Sequence, residues 1–516
     1  MKRPWCPALM AALVSSVIGC AQADRRPRLP EVDSQVVPAV YHSSEAALSS
    51  PVIGATTGPD PVPPELTGPQ PLDTYIRRAL AENRTVQAAF HNVQSLKHRI
   101  PQVTALDDPV ASNTVFPIPS VAPQYSLMGY NPYNLTLAQQ FPWFGTRRLR
   151  GEVADRDVRV ALAELAVAQL DAVTAVRRAY FDLHAGEKTR AILIENRGLL
   201  EHFRDIARAR LALGGSQQDV IRAETLLSEL DRTLAGNQQE IVTARAALAR
   251  QVHASPEADL RTLPALPTAA VPAEFERLYQ LAVTARPELG GRLAAIARDE
   301  KAVELARKRF YPNITLGVTY MDMEKTNAVT PRTASGMPNI GLFVAFNLPV
   351  YREKYRAGVS EAQERAIADA KLYEAEQDEA NSEIKDFFTQ AKVQNDVLGL
   401  LRDSILPRIE HTLELAKTDY ANQNVDIATV LSVQREVLQV AVQVAQVEAE
   451  LGKALASLER AVGCEVNERT LERTPAEAGA GAGAPSPPPS AATSPFQRDR
   501  LPAAPELKQG GASEPR

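Results

Sequence analysis

Cysteine is scarce. Only Cys6, Cys20 and Cys464 occur in 516 residues, too few for a disulfide framework once the amino-terminal segment is set aside, so stability must come from packing and assembly. Long apolar runs are absent as well. No stretch approaches the roughly 20 residues that a helix needs to span a bilayer, and the mean hydropathy is -0.21, which excludes a polytopic helical membrane protein. Strands in a closed barrel stay open, since each needs only about 9–11 alternating residues. Charge is nearly balanced, with 57 basic against 62 acidic side chains and a formal net charge of -5. No positive field exists to hold nucleic acid. HExxH, CxxC, GxSxG and GxxxxGK[ST] are all missing, so no catalytic residue, cofactor site or resident metal is expected, and the chain is not read as an enzyme. His91 and His98 lie seven apart on a helical face, but two imidazoles without a third ligand do not make a metal site.

What is present starts with an export signal. Lys2 and Arg3 precede a short apolar stretch, Pro7 to Ile18, that ends in Val17-Ile18-Gly19-Cys20. This passage resembles the bacterial lipobox, which implies cleavage after residue 19 and a lipid on Cys20; a plain secretory signal is the alternative. Ala21, where an Asp would stand in retained lipoproteins, is similar to the pattern sorted to the outer membrane. Several acyl chains anchor a protein firmly.

Proline divides the rest. Ten prolines fall between residues 21 and 71 and nine between 475 and 515, marking residues 20–71 as a Pro-rich linker and 463–516 as a disordered Pro/Ala/Gly-rich tail. Residues 144–255 contain no proline, and residues 351–463 contain only Pro407. These stretches predict long helices over 145–213 and 353–421, each followed by a tight turn and a returning helix, 218–253 and 426–462. A regular helix over 145–213 would be on the order of 100 Å long.

The chain is internally duplicated. Pro142 matches Pro349, Tyr180-Phe181 matches Phe387-Phe388, the turn Gly214-Gly215 matches Ala421-Asn422, and Asp219-Val220 matches Asp426-Ile427, all at an offset of 207 residues. Further upstream, Ile100-Pro101 aligns with Tyr311-Pro312 at 211. The repeats are therefore set at 72–254 and 273–462, with a linker over 255–272.

Within each repeat the period changes to two. Ile314, Leu316, Val318 and Tyr320 alternate with Thr315, Gly317 and Thr319, and after a polar loop over 326–337, Ile340 to Leu348 alternate again. The first repeat carries a matching run through Leu135, Leu137 and Phe141, and a weaker one near Thr114 to Tyr125 that Pro117, Pro119 and Pro123 interrupt. Strands are thus expected over about 113–142 and over 313–348. Each repeat reads helix, strand, strand, long helix, helix. Four strands cannot enclose a channel, and an open edge in lipid leaves backbone groups unpaired, so the strands must be shared among protomers.

Over residues 72–462 this plan, the passage Gln139-Gln140-Phe141-Pro142-Trp143-Phe144-Gly145-Thr146-Arg147 and the Leu211-Ala-Leu-Gly-Gly-Ser-Gln-Gln-Asp-Val turn resemble the TolC-type outer-membrane factor family, in particular the lipoprotein members of heavy-metal and drug efflux systems. The resemblance implies a mainly α fold with a transmembrane β-barrel part: a homotrimer whose twelve-stranded barrel in the outer membrane continues as a periplasmic α-helical tunnel. It implies an exit duct for metal ions or small organic compounds, docked on a periplasmic adaptor and an inner-membrane transporter of the resistance-nodulation-division type. A type I secretion duct, or a lipid-anchored coiled-coil scaffold that conducts nothing, are the rival readings. By the same resemblance the turns around Gly214, Gly215, Asp219, Ala421, Asn422 and Asp426 would be the periplasmic tips that meet the adaptor. The places where the best-known member carries acidic constriction residues hold Thr429 and Ser432, leaving Asp426 as the candidate for a ring of three carboxylates.

Overall fold

The computed structural model describes residues 66, 68–115, 133–212, 214, 216–265, 271–272, 274–322, 338–422 and 424–466. The export signal, Cys20, most of the 20–71 linker, the 326–337 loop and the tail after 466 lie outside these residues, as do Leu213, Gly215 and Gln423.

The elements run β1 Gly68–Gln70, α1 Leu72–Glu82, α2 Arg84–Thr104, β2 Val110–Val115, β3 Tyr133–Phe141, α3 Thr146–Ala212, α4 Gln217–Gln251 and β4 Leu260–Thr262. The second half repeats them as α5 Phe275–Ala285, α6 Pro287–Lys308, β5 Ile314–Asp322, β6 Asn339–Phe346, α7 Arg352–Gly399, a π-helical turn Leu400–Ile405, α8 Leu406–Ala421 and α9 Ile427–Val462. The 67-residue α3 is unbroken, which at 1.5 Å per residue makes it about 100 Å long. None of the described helices is both long and apolar enough to cross a membrane.

Both repeats feed one antiparallel sheet in the order β2-β3-β5-β6, so the two halves meet through β3 and β5 at its centre. Register aligns Leu137 with Val318 and Val318 with Leu342 across the strands. These side chains share one face and are exposed, Leu342 by 84%. On the other face Thr136 and Thr319 are cross-strand partners whose hydroxyls lie 3.2 Å apart. Gly317 sits beneath the Phe343 ring, and a Cβ there would come within 2.3 Å of it. The period-two pattern thus gives a two-faced sheet, one face apolar and the other carrying the threonines and glycines together with Phe343.

Below the sheet the helices pack lengthwise. Leu193, Leu200, Phe203 and Ala207 of α3 join Val220, Ala223 and Leu227 of α4 and Leu413, Ala416, Tyr420, Ile427 and Val430 of α8 and α9 in one cluster, so both hairpins share their lower core. Higher up, Ala391, Leu398 and Leu401 pack on Val444, Leu451 and Ala454 within the second repeat alone.

Four features differ from the sequence expectation. The linker segments around 68–70 and 260–262 contain β1 and β4, which pair in parallel and close the first repeat like a clasp. Tyr75 and Tyr180 donate to the carbonyls of Arg261 and Gln70, pinning the clasp to α1 and α3. The weak first strand lies at Val110–Val115, ahead of the interrupting prolines, and residues 116–125 fall outside the described part. Pro101 is inside α2, whereas Pro312 follows α6, so the two are not equivalent; helix ends and strand starts there correspond at 204 instead of 211. Finally, the helix expected over 353–421 is interrupted by the π-helical turn.

Candidate functional site: the paired hairpin tips

The α3–α4 turn forms because Gly214 takes a left-handed φ of +97°, which a side chain would resist, while its N–H donates to Leu211 O at 3.0 Å. Ser216 caps α4, its hydroxyl accepting from the N–H of Gln218 at 3.2 Å. Asp219 therefore sits in the first turn and is not the cap. The α8–α9 turn is built differently. Ala421 ends α8, Asn422 donates its N–H to Thr418 O at 3.1 Å, and the N–H of Asn424 reaches Asp419 O at 2.9 Å. Asp426 occupies the N-cap of α9, yet its side chain caps no backbone group.

That carboxylate reaches across instead. Asp426 Oδ2 lies 3.3 Å from the Arg222 guanidinium of α4, joining the two tips. A second link runs from Arg210, whose guanidinium covers the Tyr420 ring at 3.9 Å and donates to Tyr420 O at 3.1 Å. Asp219 faces the same spot. Burial first, then the negative charge of Asp426, raises its carboxyl above the ordinary range, against the pull of Arg222 and Arg210. About two turns higher, Arg435 of α9 pairs with Glu229 of α4 at 2.8 Å.

The structure thus brings Asp219 and Asp426 together with Arg210, Arg222 and Tyr420. Gly214 and Asn422 are exposed at the ends of the two turns. Thr429 and Ser432 are exposed, and the Ser432 hydroxyl is spent on the carbonyl of Thr429 at 2.8 Å. Asp426 is not a bare carboxylate but half of an ion pair. Arg210 and Arg222 escaped the sequence reading because their partners are about 200 residues away. The repeat alignment held a signal all the same: Arg222 stands at the 207-residue counterpart of Thr429, giving the two hairpins unlike charge at matching depth.

Residues 278–464 match the outer membrane efflux protein family. The matched stretch lies within the second repeat and its end. No curated protein matches the chain by sequence. In fold the chain is similar to the outer membrane protein VceC from Vibrio cholerae, with a TM-score of 0.64 at 18% identity over 77% of this chain and 97% of that one. It is similar to CusC, with a TM-score of 0.62 at 18% identity over 81% of this chain and 99% of that one. It is also similar to the Campylobacter jejuni CmeC outer membrane channel, with a TM-score of 0.62 at 17% identity over 76% and 85%. At these identities the likeness is one of fold, shared with outer-membrane channel proteins.

Proposed function

We propose that the protein is the exit duct of a tripartite efflux system, passively conducting metal ions or small organic compounds from a periplasmic adaptor and an inner-membrane transporter of the resistance-nodulation-division type to the exterior. The observation that carries this reading is the sheet: an outward row of exposed Leu137, Val318 and Leu342, an inward row of Thr136 and Thr319, and two edges, β2 and β6, without a further strand among the described residues. An apolar face of that size is stable in lipid, and open edges in lipid must be paired. Three copies would close a twelve-stranded barrel over a tunnel of paired hairpins. The lipid on Cys20 would anchor the mature chain, whose linker, two repeats and tail would follow the boundaries 20–71, 72–254, 255–272, 273–462 and 463–516.

The tips Gly214, Gly215, Asp219, Ala421, Asn422 and Asp426 then meet the adaptor, and the Arg222–Asp426 and Arg210–Tyr420 links hold the tunnel in its resting state. Asp426 narrows the tunnel, with Thr429 and Ser432 just above it. The test is conductance of the purified mature protein in planar bilayers. Discrete channel currents support the duct. A folded, membrane-bound trimer that passes no current under any condition would leave only the scaffold reading.

A further inference from the structure

The two repeats differ in what fills one helix joint. Counted from the helix starts Arg84 and Pro287, 203 residues apart, Asp299 of α6 stands where α2 has Leu96. At the 207-residue offset of the long helices, Asp369 of α7 stands where α3 has Leu162. In the first repeat Leu96 and Leu162 pack in one apolar cluster with Val93, Ile100 and Val158. An apolar pair therefore suffices to join these helices, yet the second repeat places two carboxyls there.

Those carboxyls crowd one guanidinium. Asp299 is only 2% exposed; its Oδ1 accepts from Arg298 Nε at 2.7 Å, while its Oδ2 is buried with no hydrogen-bond partner. Arg298 also donates through Nη2 to Asp369 Oδ2 at 3.0 Å, and it lies 3.9 Å from Asp157 of α3. The other charged groups facing the site are Arg99 of α2, 3.8 Å from Asp157, and Arg292 of α6, whose guanidinium turns to Glu376 of α7 at 3.9 Å. Asp157, Asp299 and Asp369 set against Arg298 and Arg99 leave one negative charge over. Two carboxylates in contact inside a protein resist ionising together, and one proton shared between them removes the excess. Burial first, then the hydrogen bond to Asp299 and its negative charge, raise the Asp369 carboxyl above the ordinary carboxylate range, against the pull of Arg298 and Arg292.

We propose that Asp299 and Asp369 form a proton-binding site that tightens the α6–α7 joint in acid and loosens it as the proton leaves, the buried Oδ2 of Asp299 being the oxygen that needs the proton. Through Arg298 and Asp157 the site touches α3, so it lies where the two repeats meet. The packed joint binds the proton more readily than an opened, solvated one. Its contribution is therefore full at acid pH and is lost as pH rises through the packed-state pKa. The site stands whether or not the duct conducts; in the proposed duct it makes the helical wall below the sheet firmer in acid.

Hydrogen exchange of the full-length protein in detergent, read by mass spectrometry and corrected for the intrinsic effect of pH on exchange, tests this. A rise of one pKa unit on packing corresponds to about tenfold in the opening equilibrium. Protection over residues 294–303 and 365–374 should therefore fall by about tenfold or more between about pH 5 and about pH 8. Residues 91–100 and 158–167, around Leu96 and Leu162, should keep theirs and serve as the reference within the same molecule. Asp299→Leu combined with Asp369→Leu, which copies the first repeat, should abolish the fall. Protection around Asp299 and Asp369 that is as flat with pH as the reference overturns the proposal, as does a fall that persists in the folded double variant. If that variant does not assemble, Asp369→Asn gives the same comparison at nearly unchanged volume, and the parent profile decides without any variant. Protection restored at about pH 8 by sodium chloride, but not by tetramethylammonium chloride at equal concentration, would make the ligand a metal cation and overturn the proton.

Discussion

Asn83 and Arg286 stand at the same place in the two repeats, 203 residues apart, and hold the joint between two helices by different chemistry. Asn83 caps α2, its side-chain oxygen accepting from Thr85 N at 2.9 Å, and its amide reaches Gln251 O at 3.4 Å. The Arg286 side chain is only 4% exposed and donates to Glu383 at 2.9 Å, Glu376 at 3.2 Å and Ala461 O at 3.3 Å, locking α5 and α6 to α7 and α9.

The two joints should differ in strength. Asn83→Ala removes a cap and should cost about 1 kcal/mol. Arg286→Met leaves the largely buried Glu376 with only Arg292 at 3.9 Å and should cost about 3–5 kcal/mol. Denaturant unfolding of each variant checks this; equal losses would mean that the Arg286 network adds nothing beyond a cap.

The Arg222–Asp426 pair is exposed on both sides, so each copy is worth about 0.2–1 kcal/mol, or roughly 0.6–3 kcal/mol over the three protomers of the proposed duct. Arg222→Ala should therefore raise the open fraction of the resting channel by about threefold to a hundredfold. Single-channel recording before and after the substitution gives the ratio, and an unchanged open fraction would remove this pair from the gate.

Tyr420 offers a change of opposite sign. Its hydroxyl is buried without a hydrogen-bond partner, while its ring lies under Arg210. Tyr420→Phe keeps the ring and removes the stranded hydroxyl, so stability should hold or rise by up to about 1 kcal/mol, whereas Arg210→Ala should loosen the tip. A fall in melting temperature for Tyr420→Phe would contradict the assignment.

Asp219 sets a pH dependence. Its carboxyl is raised in the paired tip, by burial first and Asp426 next, so the paired tip, which is the closed one in the proposed duct, binds that proton more readily than an opened, solvated one. The contribution of Asp219 to closure is full at acid pH and is lost as pH rises through its closed-state pKa. Asp219→Asn should lower resting conductance at neutral pH and remove this part of the pH profile. A variant that conducts more than the parent at pH 7 would reverse the sign and refute the argument.

Much of this was legible in the sequence because it is written in long periods. Proline-free stretches of 60 residues or more, a constant offset across two tips and alternation through Leu316, Val318 and Leu342 all survive local noise. The clasp between Gly68–Gln70 and Leu260–Thr262 was not legible: three-residue strands show no alternation, and their pairing is fixed by Tyr75 and Tyr180 from distant helices. The π-helical turn was marked only by Pro407. The tip links were hidden because Asp426 looks like a helix cap, and nothing local says that its carboxylate leaves the helix for Arg222.

The most direct test of the duct is electron microscopy of the mature protein in mild detergent, read for symmetry, length and a lumen. A threefold, hollow particle longer than about 100 Å, the length of α3 at 1.5 Å per residue, is the expected result. Solid rods or compact particles without a lumen would contradict it.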